Sequence, residues 1–355
     1  MHVVKAEAIP VELQLNEPFV ITNQTIEVAD NILIRLETDS GVVGWGCSTP
    51  DIVTSETKET VLANFKVAKR LVLGCDPTRI NLVNFILDTE FRGNPSLKAG
   101  INIALYDILG KISEMPLYRF LGGYRQKILT SVTIGLNLTD LMVKKAREIV
   151  SKGFKSIKIK CGLNVNEDIE NIIAIREAVG IEIKLRLDAN EGYSVEDALR
   201  LVHNLEENNI PIEILEQPTK AAHLYSLKDI ANQCSVPIMA DETALTLRDN
   251  VKLVKLEIAD MINIKLMKIG GITNAIKANT LAELADVPTM VGCMNESIVA
   301  MSGGVHFACA FRNVQYADLD SILDFRNDIA KGGARYEEGY VIPSDKPGLG
   351  VEIQL

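Results

Sequence analysis

Eight short apolar runs, seven of them ending in a charged residue or in glycine, recur between residues 132 and 318 and decide what this chain can fold into. They are 132–136, 156–160, 184–188, 212–216, 238–241, 261–265, 289–292 and 315–318. Run ends lie 28 residues apart from Asp188 to Glu216, then 25 to Asp241 and 24 to Lys265. One strand, one helix and two short loops need about that many residues. Helix-like stretches such as 195–208 and 272–284 fill the gaps. Eight such units predict a closed parallel barrel with helices outside.

The flanks are different. Residues 3–48 read as strands, with Ile32, Ile34 and Leu36 on one face and a turn at Asp39-Ser40-Gly41. From residue 56 to 120 the apolar spacing becomes helical, as in SLKAGINIALYDILGKI from Ser96, and Pro116 and Gly122-Gly123 close the region. This is an α+β unit. The tail after Asp318 falls outside the repeat and is expected to pack back on the N-terminal block. The expected division is 1–120, completed by roughly 325–355, against a barrel of 121–324.

Composition narrows the chemistry. The formal charge of −10 disfavours a nucleic-acid partner. No apolar run reaches the ~18 residues that suggest a membrane span, and the first ten residues alternate like a strand rather than a signal core. Six cysteines form no CxxC pair, which predicts reduced thiols in the cytoplasm. The four histidines show no zinc spacing, so a metal would need carboxylates.

Polar groups at the C-terminal ends of barrel strands face the active site. Runs three, four and five end in Asp188, Glu216 and Asp241, which are neighbours on one rim. Three converging carboxylates repel unless a cation joins them, and hard oxygen ligands favour Mg²⁺. The plain alternative is rim carboxylates paired with surface lysines or arginines. Lys160 ends run two and Lys265 ends run six, four places apart in a ring of eight. They would face each other across the metal, one for each face of a ligand. That arrangement suits removal of a proton next to a carboxylate and its return on the opposite side, with the metal stabilising the enediolate. The plain alternative here is a lysine pair that only neutralises carboxylates. A free lysine, near ~10.4, is too weakly acidic to act as base at neutral pH. The metal and the like-charged Lys158, on the same strand face as Lys160, are expected to lower it. Lys268 reads as an ordinary loop lysine. No GxGxxG follows a strand and no P-loop is present.

The set KIK (Lys158, Lys160), LDAN (Asp188, Asn190), EQP (Glu216), ADE (Asp241, Glu242) and NIKLMKIGG (Lys265) resembles the enolase superfamily in its muconate-lactonizing subgroup. The similarity runs over nearly the whole chain, including NPSLKA at 94–99 and PGLGV at 347–351. It implies a modified (β/α)7β TIM-type barrel, in place of eight full units, under an α+β capping domain. It also implies one Mg²⁺ on Asp188, Glu216 and Asp241, with Asn190 and Glu242 behind them, and frequent homo-oligomers.

Within the subgroup, Asp318-Leu319-Asp320 resembles the dipeptide epimerases, where this DxD binds the substrate's α-ammonium. Two carboxylates opposite a metal suit a zwitterion and would repel a muconate dianion. The alternative for DLD is a cap on a following helix. GCMNES at 292–297, with Met294 and Glu296, has the same likeness. The resemblance places Lys158 and Thr133 among the substrate contacts. Family members acting on Ala-Glu carry an arginine in the first capping loop, where this chain has Gln24, and nothing cationic lies between Pro18 and Asp30. The expected substrates are therefore L,L-dipeptides with hydrophobic side chains, epimerised at the C-terminal residue. Asp51 in the second capping loop would favour a cationic group, or is a plain loop aspartate.

The rivals are a muconate cycloisomerase or o-succinylbenzoate synthase on the same scaffold, and a non-catalytic barrel that binds a small molecule. A histidine-based racemase is set aside, because His203, His223 and His306 fall at no suitable strand end.

Overall fold

The computed structural model describes residues 1–22 and 24–354. The N-terminal sheet is antiparallel, in the order β1 (Val3–Ile21), β2 (Gln24–Thr38), β3 (Val43–Ser48). Helices α1 (Lys58–Val72), α2 (Ile80–Glu90) and α3 (Pro95–Ile112) cover one face. Ile32, Ile34 and Leu36 point into this layer against Phe65, Leu97, Ile101 and Leu105, as their alternation requires. α3 lies so close to β3 that a Cβ on Gly46 would stand 2.0 Å from the Gly100 carbonyl oxygen, so only glycine fits.

After α4 (Leu117–Phe120) and β4 (Ile128–Leu129), strand and helix alternate. The order is β5 (Val132–Ile134), α5 (Thr139–Ser151), β6 (Ser156–Lys160), α6 (Val165–Val179), β7 (Lys184–Asp188), α7 (Val195–Glu207) and β8 (Ile214–Glu216). It continues with α8 (Leu224–Ala231), β9 (Ile238–Ala240), α9 (Leu247–Leu256), β10 (Met261–Ile264), α10 (Leu266–Ile269), α11 (Ile272–Leu284), β11 (Thr289–Gly292), α12 (Ile298–Ala310) and β12 (Val314–Asp318). The eight strands from β5 to β12 pair in sequence, all parallel. A parallel bridge from Thr130 to Ala317 closes the ring, supported by the Ser131 N–H donating to the Ala317 carbonyl at 3.1 Å. β12 is followed by a 3-10 turn, Ser321–Leu323, rather than an α-helix. The barrel is thus (β/α)7β, and the count of eight full units is corrected at its last member.

The tail forms β13 (Ala330–Gly332), β14 (Arg335–Glu337), β15 (Tyr340–Ile342) and β16 (Val351–Ile353). It meets the N-terminal block where the Asn16 N–H donates to the Asp324 carbonyl at 2.7 Å and the Leu349 N–H to Asp107 Oδ1 at 2.8 Å. It also reaches the foot of the barrel, because β15 pairs with β4.

A long hairpin carries the first capping loop to the barrel mouth. The Thr22 hydroxyl donates to the Cys161 carbonyl at 3.0 Å or the Ala189 carbonyl at 3.1 Å, just beyond β6 and β7. Gln24 pairs with Ile21 across the same hairpin.

Candidate functional site

Lys158 and Lys160 both point into the barrel, while Ile157 and Ile159 between them pack outward in the main core. Register then places the carboxylates. Lys160 is opposite Asp188, and Asp188 is opposite Glu216. Asp241 follows β9, with its N–H given to Gln217 Oε1 at 2.9 Å. Asp188, Glu216 and Asp241 are all buried.

The Lys158 ammonium stands among three carboxylates, 2.8 Å from Asp188 Oδ2, 2.8 Å from Glu216 Oε2 and 2.9 Å from Asp318 Oδ2. Lys160 Nζ donates to Asp188 Oδ2 and Asn190 Oδ1, each at 2.7 Å. Asn190, with φ 40°, passes the contact on to Glu242 Oε1 at 2.9 Å. Lys265 Nζ meets Asp241 Oδ2 at 2.8 Å from the other side of the ring. Non-glycine residues at positive φ just past strand ends, here Asn190 and Gln217, are the kind of backbone that gathers at functional sites.

The electrostatics follow from burial and these partners. Burial would raise Asp188, yet Lys158 and Lys160 hold it below the carboxylate range. Glu216 is pushed up to about 7 by burial and then by Asp188. Glu242 reaches about 8 through burial and Asp241. Burial would depress Lys265, but Asp241 outweighs it and holds the ammonium above its ordinary value.

The donor set fits a hard divalent cation. It has carboxylate oxygens from adjacent strand ends, and Asp188 and Glu216 already share one cation, the Lys158 ammonium. Asp241 is turned to Lys265 and Lys268 instead. As these side chains lie, among the described residues no group of three Asp, Glu, His or Cys is arranged round one metal position. Holding one would require it to displace Lys158 from Asp188 and Glu216 and Lys265 from Asp241 Oδ2, while Lys268 keeps Asp241 Oδ1.

One recess joins most of the expected residues. Lys158, Lys160, Lys265, Asn190 and Glu242 line it from the strand ends. Thr133, Asp318 and Asp320 line it from the β5 and β12 side, and Gln24, Asp51 and Met294 from above. A larger recess of about 370 Å³ beyond Phe19 and Thr133 holds none of the strand-end lysines or metal-set carboxylates.

The aspartate pair bridges the barrel seam. Asp318 accepts the Ser131 hydroxyl at 2.7 Å as well as Lys158, and Asp320 Oδ2 accepts the Thr133 N–H at 2.7 Å. The Asp320 side chain makes no cap bond to the turn that follows, which removes the helix-cap reading.

The remaining expected residues divide. Glu296 is buried, accepts the N–H of its neighbour Met294 at 3.1 Å and does not line the recess. Asp51 lines it but spends Oδ1 on the Val53 N–H at 2.8 Å, capping the turn Ile52–Thr54. Lys268 is no exposed loop lysine, for it is buried against Asp241. Asn263, which donates to Glu216 Oε1 at 2.7 Å, was not anticipated, although alternation from Lys265 puts it on the same face.

Two family models match the chain. Residues 4–122 match the mandelate racemase / muconate lactonizing enzyme N-terminal domain, and residues 141–355 the enolase C-terminal domain-like family. A hydrophobic dipeptide epimerase of Enterococcus faecalis is 38% identical over 96% of each chain. An L-Ala-D/L-Glu epimerase of Clostridium acetobutylicum is 37% identical over 95% of each. The crystal structure of a dipeptide epimerase from Enterococcus faecalis, complexed with Mg and L-Leu-L-Tyr, superposes with a TM-score of 0.96 at 37% identity, covering 99% of this chain and 100% of that one.

Proposed function

The chain belongs to the mandelate racemase / muconate lactonizing enzyme family of the enolase superfamily, and from that premise we propose that it is a Mg²⁺-dependent dipeptide epimerase acting at the α-carbon of the C-terminal residue. One observation carries the reading. Lysines from strands on opposite sides of the ring, β6 and β10, enter one recess that an aspartate pair enters from β12.

The residues take these roles. Asp188, Glu216 and Asp241 hold the metal, and a bound Mg²⁺ would supply positive charge to the enediolate oxygens. Asp318 and Asp320 take the dipeptide's α-ammonium, and Thr133 fixes Asp320 through its N–H. One of Lys160 and Lys265 takes the α-proton as a neutral amine, and the other returns a proton from its ammonium to the opposite face. The C–H bond breaks on one side and a new one forms on the other, so the substrate keeps its composition, exchanges its α-hydrogen and inverts. Lys158 keeps the carboxylates compensated. Asn190 orients Lys160 and is itself held by Glu242.

Substrate choice belongs to the cap. Gln24 offers no charge to a glutamyl side chain, and Phe19, Ile21, Ile26 and Met294 give the recess an apolar wall. The favoured substrates are L,L-dipeptides with hydrophobic side chains. Asp51 is drawn into its turn, which weakens the cationic alternative. We take 1–120 with 325–355 as the cap and 121–324 as the catalytic barrel, in a cytoplasmic homo-oligomer. Its six cysteines are unpaired.

The test is a mass-spectrometric screen of L,L-dipeptides with Mg²⁺ in deuterated water, reading a one-dalton gain. Gain with hydrophobic dipeptides above Ala-Glu supports both chemistry and specificity. Gain chiefly with Ala-Glu removes the specificity reading. No gain with any dipeptide returns the chain to the cycloisomerase and succinylbenzoate readings.

A further inference from the structure

Lys268 is a buried cation that the reaction above does not use. It lies on α10, a four-residue helix closed by Gly270 at φ 87°, and it is 3% exposed. An ammonium has three hydrogens to donate. Here it meets three acceptors: Asp241 Oδ1, the Asp241 carbonyl at 2.7 Å and the Asn263 carbonyl at 3.2 Å. Lys268 does not line the recess that Lys160 and Lys265 enter. It borders a separate groove between the second capping loop, the start of α3 and the loop after β9. Any influence on a ligand in the recess must pass through Asp241 and Asn263.

Both of those residues lead to the proposed metal ligands. Asp241 gives Oδ1 to Lys268 and Oδ2 to Lys265 at 2.8 Å, so its carboxylate is held from two sides. Asn263, whose carbonyl Lys268 grips, donates Nδ2 to Glu216 Oε1 at 2.7 Å. One ammonium therefore ties together the ends of β9 and β10 and constrains two of the three carboxylates. An apolar side chain in its place would leave Asp241 with Lys265 as its one close cation. It would also strip a donor from two main-chain carbonyls.

We propose that Lys268 is a positioning residue for the metal centre. It holds Asp241 by Oδ1, and Glu216 by Oε1 through Asn263, so that Asp241 Oδ2 and Glu216 Oε2 are the oxygens left to a divalent cation that displaces Lys265 and Lys158. This rests on the reading of Asp241 and Glu216 as metal ligands.

The experiment titrates Mg²⁺ calorimetrically, without dipeptide, into the parent protein, Lys268→Met and Lys268→Gln. Thermal melts and steady-state epimerisation at saturating Mg²⁺ accompany it. Loss of a group that orients metal ligands weakens metal binding by about 10–100-fold. Lys268→Met should show that loss, with kcat reduced and the dipeptide KM nearly unchanged. Lys268→Gln, which keeps two donors, should fall between. If Lys268→Met does not fold, Lys268→Gln decides. A folded variant with lower thermal stability but parental Mg²⁺ affinity and kcat overturns the proposal, since a merely structural cross-link behaves that way. A parent protein that binds no Mg²⁺ overturns the ligand reading first, and this inference with it.

Discussion

At the barrel rim each strand-end lysine has a carboxylate close by, and the distances run from 2.7 Å for Lys160 on Asp188 to 2.9 Å for Lys158 on Asp318. Every one of these groups is carried on a strand or the residue after it, and register sets its neighbour. The cap above is different. Gln24 starts β2, and Asp51 is occupied with its own turn. Both belong to loops from another part of the chain, touching the barrel through contacts such as Thr22 on Cys161. Chemistry placed on paired strands is hard to alter piecemeal, because moving one charge exposes another. Recognition placed on loops can change with one side chain. The dipeptide epimerases of different substrate reported for related chains fit that division.

The largest effect should come from the rim. Removing divalent metal with EDTA is expected to abolish epimerisation while circular dichroism stays unchanged, and added Mg²⁺ should restore the rate. Activity that survives exhaustive chelation would break the comparison, since the carboxylates would then be holding only lysines. Next come the aspartates at the seam. Asp320→Asn should lower kcat/KM for dipeptides by an amount typical of a charged hydrogen bond, roughly 1.5–3 kcal/mol. Asp318→Asn should cost at least as much, because it also deprives Lys158 of a partner. A double variant that is fully active on dipeptides would remove the aspartate pair from substrate binding.

The cap should answer differently. Gln24→Arg is expected to raise kcat/KM for Ala-Glu by about tenfold, near 1.4 kcal/mol, and to leave Mg²⁺ affinity alone. If it changes metal binding instead, cap and rim are not independent.

An effect on stability rather than on activity sharpens the contrast from the opposite end of the barrel. His306 is buried on α12, accepts the Tyr118 N–H at 3.0 Å and is pushed down to about 4 by burial. A histidine whose folded pKa lies below its unfolded value near 6.5 keeps the fold most stable when neutral. That contribution is complete above about pH 6.5 and is lost as pH falls toward 4, at most about 3 kcal/mol. Melting curves across that window should show the loss, and His306→Gln should flatten it. An unchanged slope would assign acid sensitivity to the carboxylates of the rim.

Much of the rim was legible in the sequence because parallel strands impose it. Alternation puts Lys158 and Lys160 on one face, and the spacing of run ends places Asp188, Glu216 and Asp241 side by side. What escaped depends on turns. Lys268 is hidden by a four-residue helix that turns it back under Asp241, and linear spacing shows only a lysine three residues past another. Glu296 folds onto its own neighbour's N–H, a local bond that no periodicity reports. Asp51 was ambiguous because a short capping side chain and a binding side chain look alike until the turn is seen.

The most direct test of the account separates the lysines. Lys160→Ala and Lys265→Ala should each lose epimerisation by at least the ~10²–10⁴-fold typical of a missing general acid or base. In deuterated water each variant should still exchange the α-proton of one epimer of the dipeptide and not the other, with the two variants choosing opposite epimers. If either variant exchanges both epimers at the parental rate, the lysines do not divide the two faces between them and the two-base reading is wrong.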